Sequence, residues 1–254
     1  MTGTGSVGRD ALLAWLDRTL EPARFADYCP NGLQVEGRAE IRRLVTGVTA
    51  SATLIREAVA AGADALLVHH GYFWKGEDAR LVGMKGARIG ALMRANLNLF
   101  AYHLPLDAHP VLGNNAQLGH RLGLRVDARG GEHDLVCAHD LATPLDAASL
   151  RQRVARGLNR MPLVVGGAGA PISRIAWCTG GAQDAIGQAH AMGAQAYISG
   201  EISERTTHLA RELGVLYLAA GHHATERYGV QALGERIAHE FGIGHRFIDD
   251  PNPA

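Results

Sequence analysis

Histidines and carboxylates set at the ends of apolar runs carry the first chemical information in this chain. "ALLVHHGYFW" ends a run on His69 and His70, "NLFAYHLPLD" holds His103 and Asp107, and "LYLAAGHHATE" holds His222 and Glu226. Imidazole nitrogen and carboxylate oxygen together suit Zn, Fe, Ni, Co or Mn. No cysteine stands near these residues, which argues against a structural thiolate zinc. In extended chain, successive side chains leave on opposite sides. Adjacent histidines therefore suit two targets, as in hydrolases with two ions roughly 3.5–4 Å apart. His103 is read either as a ligand or as a group that orients one and shuttles protons. His-x3-acid spacing selects His222 over His223, whose four-residue partner is Arg227. Glu201, in "SGEISE", reads either as an acid at a helix start or as a group that reaches the same site as His70.

The elements that must position these groups are legible in the pattern. Residues 43–70 read as strand 44–49, helix 52–61 with Gly62 as its stop, and strand 65–68, which delivers the histidine pair. Residues 174–201 lie under residues 43–70 without a gap, and Arg43/Arg174, Ile55/Ile186, Ala58/Ala189, Gly62/Gly193 and Ala65/Ala196 are identical. This reads as an internal duplication. His103 and His222, with their acids, form a second echo. "PNGLQVEG" reads as a turn before a short strand, 86–95 as a helix and 97–102 as a strand. Between 126 and 173 the text is irregular, with one helix over 143–158. In the last helix, Val230, Leu233, Ile237 and Phe241 share one face with Glu226, which therefore points inward and needs a partner or a metal. In open α/β sheets ligands gather beyond the carboxyl ends of strands, where all three motifs fall.

The chain has 254 residues, 25 basic and 25 acidic, with 13 histidines. A zero net charge offers no bulk footprint for nucleic acid. No apolar run reaches membrane-spanning length, no signal-peptide pattern opens the chain, and three separated cysteines fit a reducing compartment. The expected location is the cytoplasm, with no membrane partner. The expected fold class is α/β: two interlocked α/β lobes related by duplication, of three-layer α/β/α character. The first lobe covers 1–125 with His69, His70 and Asp107; the second covers 126–254 with His222 and Glu226. There is no phosphate-binding glycine loop and no serine nucleophile elbow.

"NGLQVEG", "LLVHHGYFW", "YHLPLDAHPVLGNN", "SGEISE" and "AAGHHATERYG" together resemble the YbgI-like dinuclear metal-centre proteins, also called NIF-three-like, which carry the name GTP cyclohydrolase 1 type 2 homolog. The resemblance runs from about residue 10 to 248. It implies two divalent ions per subunit held by His69, His70, Asp107, His222 and Glu226, with Glu226 bridging, in the cleft between the lobes. It also implies a toroidal homohexamer. The function expected is a dinuclear metal-dependent hydrolase acting on a nucleotide base such as C8 of GTP. The alternatives are a phosphoester or damaged-nucleotide hydrolase using the same ions, and a non-catalytic ring that binds metal or a partner.

Overall fold

A computed structural model describes residues 3–167 and 169–254. In chain order the elements begin with β1 (Val7–Gly8), α1 (Arg9–Leu20), β2 (Gly32–Val35), β3 (Glu40–Ile41), β4 (Arg43–Thr49), α2 (Ala52–Ala60), β5 (Ala65–His70), α3 (Gly83–Arg94) and β6 (Asn98–Ala101). There follow α4 (Leu104–Ala108), α5 (Asn114–Leu122), β7 (Ala128–Gly130), β8 (Val136–Leu145), α6 (Ala147–Leu158), β9 (Leu163–Gly166) and β10 (Ile172–Trp177). Last come α7 (Ile186–Ala191), β11 (Ala196–Ser199), α8 (Glu204–Glu212), β12 (Leu216–Ala219), α9 (His222–Phe241) and β13 (Gly244–Phe247). The chain forms two compact units, Met1–Leu106 with Gly229–Asp250, and Asp107–Tyr228 with Pro251–Ala254. Asp107, expected in a first lobe ending at 125, thus groups with the second unit, because α5 and the loop after β10 supply its contacts.

In the first unit the sheet order is β13-β4-β5-β6-β2. Alternation along the strands sends Val45, Leu66, Val68 and Leu99 to one face, against Leu54, Ile55 and Ala58 of α2 and Ile89 and Leu92 of α3. Each of the buried Val, Leu and Ile side chains here contributes about 2 kcal/mol relative to exposure. Ser51 starts α2 by accepting a hydrogen bond from Leu54 N at 3.0 Å. The opposite face meets α1, where Tyr102 donates to Asp17 at 2.6 Å, and the part of α9 beyond Gly229, where Phe241 packs edge-on to Trp15. Helices therefore cover both faces.

The second unit repeats this plan, with sheet order β7-β8-β10-β11-β12-β9. One face packs on Leu118 and Leu122 of α5 and Leu150, Val154 and Leu158 of α6; the other packs on Ile186 and Ala189 of α7 and Ala210 of α8. The strand registers coincide. Leu44 faces Ala65 as Ile175 faces Ala196, and Ala65 faces Asn98 as Ala196 faces Leu216. The antiparallel edges also correspond, with Leu33 opposite Phe100 and Val164 opposite Leu218. A hydrogen-bond device is repeated as well. One Asp64 oxygen accepts from Arg42 N and Arg43 N, both at 2.9 Å, and Gln195 Oε1 accepts from Ser173 N and Arg174 N at 3.0 and 2.8 Å. Register and hydrogen bonding thus support the duplication read from the sequence.

The segment 126–173 is less irregular than expected, since it contains β7, β8 and β9. Only the first four residues of β8 are consistently buried, and its second half carries Thr143 and Pro144 in exposed positions, so no alternation marks it in sequence. The helix expected over 143–158 begins at Ala147, with Asp146 as its cap.

Candidate metal-binding clusters

Within the first unit, β5 ends on His69 and His70. His69 is buried, and its Nδ1 lies 3.0 Å from the carbonyl oxygen of Tyr102. A carbonyl only accepts, so Nδ1 carries the proton and the ring's lone pair lies on Nε2. His70 Nδ1 lies 3.2 Å from Thr49 Oγ1. The strand alternation expected to send the two rings apart does not separate them: their centroids are 4.5 Å apart. The pair sits at the last two positions of β5, where pleating no longer constrains the following residue. Gly71 allows the chain to turn there, since a Cβ would collide with Gln34 Oε1, which accepts from Tyr72 N at 2.7 Å.

His103 completes this cluster. Its ring centroid is 5.0 Å from that of His69 and 5.8 Å from that of His70, and each of the three residues offers a nitrogen within 4.8 Å of the others. Asp27 holds it, with Oδ1 2.7 Å from His103 Nδ1. The other Asp27 oxygen accepts from Asn31 Nδ2 at 2.8 Å and Leu104 N at 3.0 Å, while Asn31 Oδ1 accepts from His103 N at 2.7 Å. Burial pushes the Asp27 carboxyl up, but hydrogen bonds from His103 and Asn31 outweigh it and bring the pKa down to about 2. Sequence reasoning passed over Asp27. The available signal was an acid four residues before the Asn-Gly turn, an arrangement that is common in loops. Cys29 also approaches Asp27 and His103, but burial and the Asp27 charge push its thiol up to about 12, so it stays protonated.

Within the second unit, Asp107 lies on α4 and is 7% exposed. Its Oδ1 accepts from Asn114 Nδ2 at 2.8 Å and from Thr179 Oγ1 at 3.3 Å. Glu226 is 3% exposed, and His222 Nε2 lies 3.1 Å from its Oε2. His222 is the first residue of α9, so a single helical turn sets the pair. The strands β6 and β12 correspond at an offset of 118, whereas the two histidines correspond at 119. The extra residue is Gly221, whose φ of +101° makes the turn into α9.

Glu201 does not start a helix. Ser203 caps α8, and the Glu201 carboxylate lies 2.7 Å from His222 Nδ1. Burial lowers the His222 pKa, yet Glu226 and Glu201 together raise it to about 9. Gly180 makes room for the pair, because a Cβ there would collide with Glu226 Oε1 and press on His222 Nε2. The Gly180 loop is tied to α9 by Gly180 N donating to Thr225 Oγ1 at 3.0 Å. His223 donates its backbone N–H to Ala254 O at 3.3 Å, and it is not among the metal-type groups found within the described residues.

Both units thus carry imidazoles and carboxylates whose far atoms are held by partners, the arrangement that orients metal ligands. The donor set of nitrogen and carboxylate oxygen fits a borderline divalent cation. Fold and clusters define an α/β protein of two repeated units with side-chain groups able to hold metal ions. The chain belongs to the Duf34/NIF3 (NGG1p interacting factor 3) family, whose model matches residues 7–253. It is 54% identical over 252 residues to a Pseudomonas aeruginosa protein named GTP cyclohydrolase 1 type 2 homolog, covering 98% of this chain and 100% of the other. An Allochromatium vinosum protein of the same name is 55% identical, with 96% of each chain covered. A solved structure described as protein ybgI, of unknown function, superimposes with a TM-score of 0.94 at 47% identity, covering 98% of this chain and 100% of that one. No helix among the described residues is long and apolar enough to cross a membrane.

Proposed function

We propose that this protein is a hydrolase that works with two divalent cations. His69, His70, Asp107, His222 and Glu226 would hold them. The observation that carries the reading is the convergence of His69, His70 and His103 on one another, with Asp107 one helical turn after His103 in the chain. When bound, such ions supply Lewis acidity and a nucleophile at neutral pH.

The remaining work falls to the chain's own side chains. Tyr102 O fixes which nitrogen His69 presents, Glu201 does the same for His222, and Asn114 with Thr179 sets one Asp107 oxygen. His103, backed by Asp27, is placed to accept or return a proton. Trp74 stands edge-on to His103 at 5.0 Å, and exposed Tyr28 at 6.3 Å. Their rings offer stacking faces to a planar heterocycle, which favours a nucleotide base over a simple phosphoester. That preference agrees with the name carried by the relatives, GTP cyclohydrolase 1 type 2 homolog.

The test loads the protein with Mn, Fe, Co, Ni or Zn and assays GTP, other nucleotides and a generic phosphoester. Turnover of GTP that disappears in Asp107→Ala and Glu226→Ala supports the proposal. Turnover of the phosphoester alone moves the substrate class. Tight metal loading without turnover on any substrate rejects an enzyme in favour of a metal-binding protein. A homohexamer is part of the same proposal and is read by sedimentation.

A further inference from the structure

A groove between α2 and α3 lies apart from the histidine clusters. Ile55 and Val59 line it from α2, Met84 and Ala91 from α3, and its volume is about 530 Å³. That volume falls in the range of small-molecule sites. Val59 is 44% and Met84 69% exposed, so the groove presents apolar surface to solvent. Arg56, Arg88 and Arg94 line the same groove, and no acidic residue does. Among the described residues none forms an ion pair with these three arginines. Arg88 Nε is shielded from solvent and has no hydrogen-bond partner among them.

The duplication shows that this lining is not a requirement of the fold. Ile55, which serves the core, recurs as Ile186 at the matching position of α7. Arg56 and Val59 are matched there by Gly187 and His190. The cation and the exposed aliphatic are thus peculiar to the first unit.

We propose that the α2–α3 groove binds a small anionic amphiphile, specifically a free medium-chain alkyl carboxylate. The alkyl body would cover Val59 and Met84, and the head would meet Arg56 and Arg88. An anion there gains charge-assisted hydrogen bonds to guanidinium groups that lack a carboxylate of their own. An apolar groove without cations would take any hydrophobe; this one selects by charge.

Isothermal titration of the full chain with dodecanoate, below its micellar concentration, tests the proposal. Dodecyltrimethylammonium is the charge-reversed control. Expected is one saturable site per chain for dodecanoate, with the cationic control at least about tenfold weaker. The double variant Arg56→Gln/Arg88→Gln should weaken dodecanoate about tenfold or more. Val59→Asp/Met84→Asp, at two exposed positions that leave the core intact, should abolish binding with the far-ultraviolet circular dichroism unchanged. Absence of saturable binding, equal affinity for the cation, or full binding by both variants would overturn it. So would a wild-type oligomer that ignores dodecanoate and dissociates in Val59→Asp, since a second copy would then occupy the groove. Metal-free protein serves throughout, so the outcome is independent of the metal reading.

Discussion

Replacing Asp27 by asparagine tests how the first histidine cluster is held. The carboxylate side chain is 3% exposed and accepts from His103 Nδ1 at 2.7 Å, Asn31 Nδ2 at 2.8 Å, Tyr28 N at 2.6 Å and Leu104 N at 3.0 Å. Burial alone would raise its pKa, but the bonds from His103 and Asn31 carry it from 3.8 to about 2. A carboxylate whose folded pKa is depressed contributes stability that is complete above its unfolded value and disappears as pH falls through the folded value. At 1.36 kcal/mol per pKa unit, the displacement is worth about 2 kcal/mol. The amide keeps the size of the side chain but turns an N–H₂ toward one of four donors, so the loss at pH 7 should be at least about 2 kcal/mol. The His103 ring should also lose its fixed tautomer and its place beside His69 and His70, and cobalt affinity should fall about 10–100-fold, the usual cost of disturbing a group that stands behind metal ligands. Urea unfolding of the metal-free protein at pH 7 and pH 3 reads the first effect, and competition with a chelator reads the second. The stability gap should narrow at pH 3. A variant with wild-type cobalt affinity would separate His103 from metal binding, and one within about 0.5 kcal/mol of wild type at both pH values would refute the electrostatic reasoning.

Three further outcomes are expected. Gly180→Ala, at φ +67° and against Glu226 and His222, should cost about 1 kcal/mol in backbone strain and weaken cation binding at least about tenfold. Gly181→Ala, whose nearest contact would be an ordinary 3.6 Å, is the control; equal loss in both would refute the steric account. Burial lowers His245 from 6.5 to about 4, where its Nε2 lies 2.9 Å from Thr46 Oγ1. Its folded pKa is depressed, so nothing is lost above pH 6.5, and stability falls between about pH 6.5 and 4 by at most about 3 kcal/mol, less what partial exposure screens. His245→Asn should flatten the dependence of the urea midpoint on pH in that window, and an unchanged slope would refute the assignment. Asp64→Asn should keep the bonds from Arg42 N and Arg43 N, as Gln195 does in the second unit, and lose only the Arg38 pair, costing about 1 kcal/mol or less. Asp64→Ala should cost clearly more by thermal unfolding, because two part-buried backbone donors would be left without an acceptor.

The β-α-β repeat was legible because identical small and aliphatic residues recur at a constant offset, and the strand registers follow that offset. β7, β8 and β9 were not, because β8 pairs with β10 through backbone groups while half its side chains face solvent. The alternation rule failed at His69 and His70, since it describes the interior of a strand and the pair ends one. Sequence position left Glu201 open between a helix start and the histidine site, and the folded chain turns its carboxylate to His222, 21 residues along.

Residue chemistry, its spacing within one helical turn, and the recurrence of a strand-helix-strand unit are properties of neighbouring residues, so the amino-acid order settled them. Which acid holds which imidazole was decided only by the folded chain. Asp27 and His103 are 76 positions apart, and no periodicity links a loop acid to a strand-end histidine until β2 and β6 lie side by side. Hydrogen-bond partnership between distant loops depends on ångström-scale placement, which the packing of the sheet and its covering helices supplies.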